Sequence, residues 1–262
     1  MSPLKVFIGF DSRAHVAYHA LQNSIFSRCS LPVSFTPLIL PTLPVTRTGL
    51  TQFTFTRFLV PWLCEYQGTG LFLDSDIILQ ADIAELFRIA EGDKSKAVWA
   101  VDYKEPKLRF ERAAVMLFNC SHPDNAVLTP EYIETTDKPL HKIGWTEHVG
   151  AFGEEWGHLV MYQQPKLAKL IHYTAGIPIW PETVNLGYAK EWQEEIERVV
   201  SSVSYYELMS RSVHHQYVMK FFQEQQRQAN ADALAKAAME QGNVQPGVQV
   251  DVQGGANGAA GV

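Results

Sequence analysis

The stretch LFLDSDIILQ, residues 71–80, sets two aspartates, Asp74 and Asp76, between two apolar triplets. In an extended segment residues two apart point the same way, so the two carboxylates share a face and Ser75 turns away. Carboxylates that close repel, and one of them keeps its proton unless a cation lies between them. A hard divalent cation such as Mn²⁺ or Mg²⁺ resolves the conflict and keeps open positions that diphosphate oxygens can fill. The other reading is a solvated turn whose aspartates accept from nearby backbone N–H groups. The tripeptide alone does not decide; its place between LFL and IIL favours the cation.

The elements that must position this pair alternate along the first half of the chain. VFIGF is a continuous apolar run, expected as a central strand. Residues 13–27 carry Val16, Ala20, Leu21, Ser24 and Ile25 at helical spacing. Residues 33–39 read as a second strand, with Pro37 at its end or on an edge. TFTRFLVPWLCEYQ reads as helical, and Pro61 either kinks it or begins a second segment. LFLD is strand-like, DIAELFRIA a short helix with Asp82 as N-cap, and KAVWAVD and ERAAVMLFN two further strands. Thr129-Pro130 is a helix start. This βαβα order predicts an α/β sheet that is at least partly parallel, where ligands bind at the carboxyl ends of strands. Asp11, the pair Asp74 and Asp76, and Asp102 all fall at such ends, which implies one shared crevice.

The chain of 262 residues is long enough to bury its own core. With 22 Lys and Arg against 28 Asp and Glu it is mildly acidic and has no basic block, which argues against nucleic acid as a partner. Its three cysteines are scattered without a CxxC, as expected of reduced thiols in a cytoplasmic protein. No stretch approaches the roughly 20 apolar residues of a transmembrane segment. Residues 205–226 read as a packing helix. We expect one domain over residues 1–227, then a helical extension over 228–262 passing into a disordered Gly-, Gln- and Ala-rich tail.

LFLDSDIILQADIAELF resembles the metal-binding segment of GT-A-fold glycosyltransferases, especially family 8, the group of glycogenin and the lipopolysaccharide galactosyltransferases. VFIGFDSRAHVAYHALQNSI resembles that family's first strand and helix, and FTRFLVPWL the helix whose arginine approaches the diphosphate-sugar. ERAAVMLFNC resembles its strand FNSGVMLFN, and LIHYTAGIPIW its His-x-x-Gly-x-x-Lys-Pro-Trp segment. The resemblance covers about residues 4–180. It implies a Rossmann-like nucleotide-diphospho-sugar transferase domain of α/β class, with a mixed, mostly parallel central sheet. It also implies a UDP-sugar donor, a carbohydrate, lipid or protein acceptor, Mn²⁺ or Mg²⁺, and retention of anomeric configuration.

Residue by residue, the resemblance makes Asp74, Asp76 and His172 the metal ligands. Asp11, Arg57, Asp74 and Gly176 would hold the nucleotide, with a helix cap as the other reading of Asp11 and a surface cation as that of Arg57. Asp102 would bond sugar hydroxyls or cap a loop. In VGAFGEEWGHLV, Glu154 or Glu155 is the candidate catalytic carboxylate and Trp156 a sugar platform, or else the stretch is an exposed turn with a core tryptophan. Two departures stand out: Arg112-Ala113-Ala114 replaces Asn-Ser-Gly, and Pro178 or Ile179 stands where a lysine is usual. The cation and Arg57, or another residue such as Lys190, would then neutralise the diphosphate. The rival readings are a non-catalytic nucleotide-sugar or carbohydrate-binding protein and a nucleotidyltransferase, though DSRAH is not the Gly- and Lys-rich loop the latter needs.

Overall fold

The computed structural model describes residues 2–179, 181–203, 224, 227, 228 and 230–237. Contacts divide the chain into two units, Met1–Ser201 and Ser202–Val262. In the second unit the stretch 230–237 is helical and exposed. The helix expected at 205–226 lies outside the described residues except for Glu224, as do the tail and Trp180.

The first unit contains nine strands: β1 (Leu4–Gly9), β2 (Val33–Leu38), β3 (Thr69–Leu73), β4 (Ile77–Leu79), β5 (Val98–Val101), β6 (Val115–Asn119), β7 (Val149–Phe152), β8 (His158–Leu159) and β9 (Leu170–His172). Its helices are α1 (His15–Phe26), α2 (Val60–Leu63), α3 (Ala84–Glu91), α4 (Pro130–Thr135) and α5 (Ala189–Val203), the last running just past the unit's end. Six strands form the main sheet in the order β2-β1-β3-β6-β5-β7. β1 is parallel to β2 and β3, β5 is parallel to β7, and β6 is antiparallel to both β3 and β5. The sheet is therefore mixed and mostly parallel, with β6 alone reversed.

The continuous apolar runs arise because both faces of this sheet are covered. Alternate residues feed two cores: Val6, Ile8, Leu71, Leu73, Val115 and Leu117 face one side with Leu21 and Ile25 of α1 and Leu86 of α3. Phe7, Phe72, Met116 and Phe118 face the other, with Phe58, Leu59 and Val60. Each such side chain contributes roughly 1.5–3 kcal/mol on burial, so the edge of the sheet is a firm platform.

Pro37 sits on β2, an edge strand, where its missing N–H costs no ladder bond. Pro61 lies in the first turn of α2, directly after a 3₁₀ turn at Thr56–Leu59, so it begins a second segment rather than kinking one helix. Asp82 Oδ1 accepts from Ala84 N at 2.9 Å at the start of α3, and Thr129 Oγ1 accepts from Tyr132 N at 3.1 Å at the start of α4.

One expectation is corrected. The strand read over ERAAVMLFN begins only at Val115, and residues Pro106–Ala114 form a 3₁₀ segment. Pro106 fixes the entry to that segment, and the charged run KLRFER cannot enter a sheet buried on both faces. A second, three-stranded sheet in the order β4-β9-β8 was not legible either, since its strands have only two or three residues.

Candidate functional site

β1, β3, β5 and β7 run the same way, so their carboxyl ends share one edge of the main sheet. Asp11, Asp74, Asp102 and Glu154 stand just beyond those ends. β6 runs the opposite way, so the residues that lead into it, Glu111 and Arg112 among them, arrive at the same edge. The acids expected at strand ends thus stand in a row with one reversed strand in its middle, but they line two clefts rather than one shared crevice: Asp11 and Asp76 one, Asp102 the other.

At the centre of the row, Asp74 follows β3 and its N–H donates to Ala114 O at 3.0 Å. Arg57 Nη1 lies 3.0 Å from Asp74 Oδ1, with both side chains nearly buried. The same guanidinium is fixed by Nε to Thr54 O at 3.1 Å and by Nη1 to Ala113 O at 2.9 Å. Pairing of β4 with β9 sets Ile77 opposite His172, which places His172 Nε2 3.2 Å from Asp76 Oδ1. Tyr173 N donates to Asp76 O at 2.9 Å and locks that register.

Ser75 and Asp76 form a turn rather than the extended segment expected. The reason is topological: β3 belongs to the main sheet and β4 to the small one, so the chain must change direction between them. The turn is only partly solvated: Asp74 and Ser75 are buried and Asp76 Oδ1 is shielded, while 32 % of the Asp76 side chain is exposed.

Glu111 completes the cluster. One ligand atom each from Asp74, Glu111 and His172 lie within 4.8 Å of one another. Thr174 Oγ1 donates to Glu111 Oε1. Asp74 Oδ1, Asp76 Oδ1 and His172 Nδ1 are buried and have no hydrogen-bond partner among the described residues, although the two aspartate oxygens each face an opposite charge at ion-pair distance. Burial raises the Asp74 pKa to about 7, against the lowering effect of Arg57 and with further upward pressure from Asp76. Burial opposes charge on His172, yet Asp76, Glu111 and Asp74 outweigh it and lift that pKa to about 9. Three crowded carboxylates, two of them with an oxygen that lacks a hydrogen-bond partner among the described residues, and an imidazole are a donor set suited to a hard or borderline divalent cation.

A cleft of about 390 Å³ opens beside the cluster, lined by Asp11, Arg13, Phe53, Asp76, Gly176 and Ile177 among others. Asp11 accepts from Arg13 Nε at 2.8 Å and Nη2 at 2.6 Å, from Arg13 N at 3.0 Å and from Gln52 N at 3.3 Å. The Arg13 bonds dominate and hold its pKa at about 2. Gly176 has φ +116°, which only glycine adopts freely, and its N–H closes a turn onto Tyr173 O at 2.8 Å. Asp11 and Gly176 therefore share one wall system with Asp76.

Asp102, Glu154 and Glu155 line a different cleft, of about 490 Å³, together with Lys104 and Lys166. Glu154 accepts from Lys104 N at 2.8 Å and from Lys166 Nζ at 3.1 Å, and these bonds depress its pKa. Glu155 is exposed. Trp156 is 1 % exposed and packs in the main core, so the sugar-platform reading fails and the core reading holds. Lys190 stands exposed on α5, 3.6 Å from Glu194, rather than among the acids of the cluster. The residues missed by sequence reasoning are Glu111, Thr174 and Arg13. Glu111 was hidden because its segment was read as strand; its one signal was a carboxylate just ahead of a strand entering the acidic edge.

The class follows from this architecture: the chain has a GT-A-type α/β fold. It can be superposed on the WbbM bifunctional glycosyltransferase (TM-score 0.56, 16 % identity, 84 % of this chain and 51 % of that one). It is also similar to the glycosyltransferase GlyE of Streptococcus pneumoniae (0.55, 14 %, covering 77 % and 63 %) and to the galactosyltransferase LgtC, solved with donor and acceptor sugar analogs (0.51, 12 %, covering 74 % and 96 %). The chain thus spans about half the length of WbbM. No protein-family model matches the sequence. At the level of sequence, 228 residues are 32 % identical to Protein CDI of Arabidopsis thaliana, over 74 % of this chain and 86 % of that protein. The chain belongs to the family of Protein CDI.

Proposed function

We propose that the chain is a glycosyltransferase that moves a sugar from a nucleotide-sugar, a UDP-sugar by resemblance to family 8, to an acceptor hydroxyl. The observation that carries the reading is the convergence of Asp74, Glu111 and His172 beyond the carboxyl end of β3, with Asp76 against His172 and with buried oxygens on Asp74 and Asp76 that lack hydrogen-bond partners among the described residues. Asp74, Asp76 and His172 would hold Mn²⁺ or Mg²⁺, with Glu111 as a further donor. Such an ion stabilises the charge that develops on a leaving diphosphate.

The chain's own residues supply the rest. Arg57 is pinned by two backbone carbonyls and presents a fixed positive charge beside Asp74. Gly176 lets backbone approach a ligand in the 390 Å³ cleft without a Cβ in the way. Asp11, held by Arg13, is a rigid acceptor for a base or ribose hydroxyl. Asp102, Glu154 and Glu155 lie on the same edge and serve the transferred sugar and acceptor, while resemblance to family 8 implies retention. Among the described residues no helix is long and apolar enough to cross a membrane.

The test is release of UDP from a panel of UDP-sugars, with and without Mn²⁺. Metal-dependent release that Asp76→Asn abolishes supports the proposal. Metal-dependent UDP binding without any turnover, across the panel and with added acceptors, would instead favour a non-catalytic nucleotide-sugar-binding protein.

A further inference from the structure

The segment Pro106–Ala114 has two ends with opposite character. Its last residues serve the acidic cluster: Ala113 O accepts from Arg57, Ala114 O from Asp74 N, and Glu111 faces His172. Its earlier residues line a separate cleft of about 540 Å³ with Lys107, Arg109, Phe110 and Arg112, closed on the other side by His141 and Lys142. No acidic residue lines this cleft among the described residues. In a chain with net charge −6, four cations without an acid are an unusual concentration.

Three of these four cations are not spent on internal pairing. Lys107 lies 2.9 Å from Glu105, but Arg109, Arg112 and Lys142 have no ion pair among the described residues. Arg109 Nε donates only a long 3.3 Å bond to Tyr103 O. Arg112 is half-buried and its Nε is sealed from solvent with no hydrogen-bond partner among the described residues. Burial opposes its charge, Asp102 favours it from beyond ion-pair distance, and Arg109 repels it. His141 is neutral near pH 7, its pKa pressed to about 4 by burial and by Arg57 and Arg47. A buried guanidinium N–H without an acceptor costs free energy until a ligand supplies one.

We propose that this cleft is a phosphate-binding subsite. Three cations unpaired among the described residues, with Lys107 beside them on Glu105, suit a dianion better than a singly charged carboxylate. Exposed Phe110, whose ring meets that of Tyr162 edge-on at 5.4 Å, gives the rim an aromatic face for the carbon skeleton attached to the phosphate. If the transferase reading above holds, the subsite receives the phosphate of the acceptor, because its segment continues directly into the donor cluster. The phosphate belongs either to a soluble sugar phosphate or to a lipid headgroup; the recognising chemistry is the same.

The experiment is titration calorimetry of the full chain at low ionic strength with glucose 6-phosphate, without metal or UDP, so that the outcome is independent of transferase activity. Sedimentation with phosphatidate-containing vesicles forms a second arm. Binding of either probe that falls about tenfold or more in Arg112→Gln, the size expected for losing one charge-assisted bond, supports the subsite, and the probe that binds identifies the source. Arg109→Gln and Lys142→Gln lie on exposed side chains and should show the same loss of affinity, which keeps the test open if Arg112→Gln folds poorly. Failure of both probes to bind, affinity unchanged in all three variants, or glucuronate binding as well as glucose 6-phosphate would overturn it.

Discussion

Arg57 Nη1 and Asp74 Oδ1 stand 3.0 Å apart with 8 % and 10 % of their side chains exposed, so each is the other's principal counter-charge in a dry setting. Removing one member of such a pair leaves the other uncompensated. Asp74, whose pKa already stands at about 7, would take up a proton without Arg57, so Arg57→Ala should cost less than the roughly 3–5 kcal/mol of a fully ionised buried pair, read as a lower urea midpoint whose shift grows from pH 6 to pH 8. Arg57→Lys keeps the charge but loses the fork that reaches Thr54 O and Ala113 O, and should fall between wild type and Arg57→Ala.

Mn²⁺ should stabilise the wild-type chain. At about 100 times its dissociation constant a native-state ligand adds about 2.7 kcal/mol, a measurable rise in Tm. Asp76→Asn and His172→Ala should each lose most of that rise while keeping a cooperative transition. An equal rise in all three proteins would place the ion elsewhere, for example at His122, Asp124 and His148, which also offer ligand atoms within 4.8 Å of one another.

His158 is 1 % exposed, and neither ring nitrogen has a hydrogen-bond partner among the described residues. Burial, with Lys166 adding to it, pushes its pKa down to about 4. Its folded pKa is thus below the ordinary value near 6.5, and the unfolded chain takes up the proton first as pH falls. The His158 contribution to stability should be fully present above about pH 6.5 and be lost towards pH 4, opposed in the same window by Asp74, whose raised pKa favours the folded state as pH falls. The difference between wild type and His158→Phe in urea titrations at stepped pH should isolate that contribution, leaving in the variant the slopes of His141, whose pKa is also held at about 4, and of Asp74, which run in opposite directions.

Gly150 of β7 lies opposite Trp99 of β5, and a Cβ at that position would meet Trp99 Cδ1 at 2.2 Å. The indole is 3 % exposed and has no room to retreat. Gly150→Ala should cost about 1–3 kcal/mol by overpacking and change the near-ultraviolet circular dichroism of the protein. A neutral result would mean that β7 moves freely against β5.

The main sheet was legible because burial on both faces writes long apolar runs: VFIGF, LFL and VWAV each name a strand without help from neighbours. The sequence also pointed to the acids at strand ends, since charge directly after such a run is conspicuous. The small sheet left no comparable mark, for β4, β8 and β9 are too short to show a period. Glu111 escaped for a related reason. Its role depends on β6 running against its neighbours, and strand direction is a tertiary fact that local pattern does not carry. Trp156 shows the same limit from the other side: a tryptophan between glycines suits a rim or a core equally until the packing is seen.

β9 is the middle strand of the small sheet, held between β4 and β8, and both pairings join segments far apart in the chain or separated by a loop. During synthesis from the N-terminus, Asp74 and Asp76 emerge long before Leu170–His172 exists to pair with them. Contacts of such long sequence separation form late, after their loop entropy has been met. The acid pair must therefore wait, mutually repelling, for its imidazole. The cluster is a closing step of assembly, and any ion it takes up would act as a seal on a finished chain rather than a nucleus for a growing one.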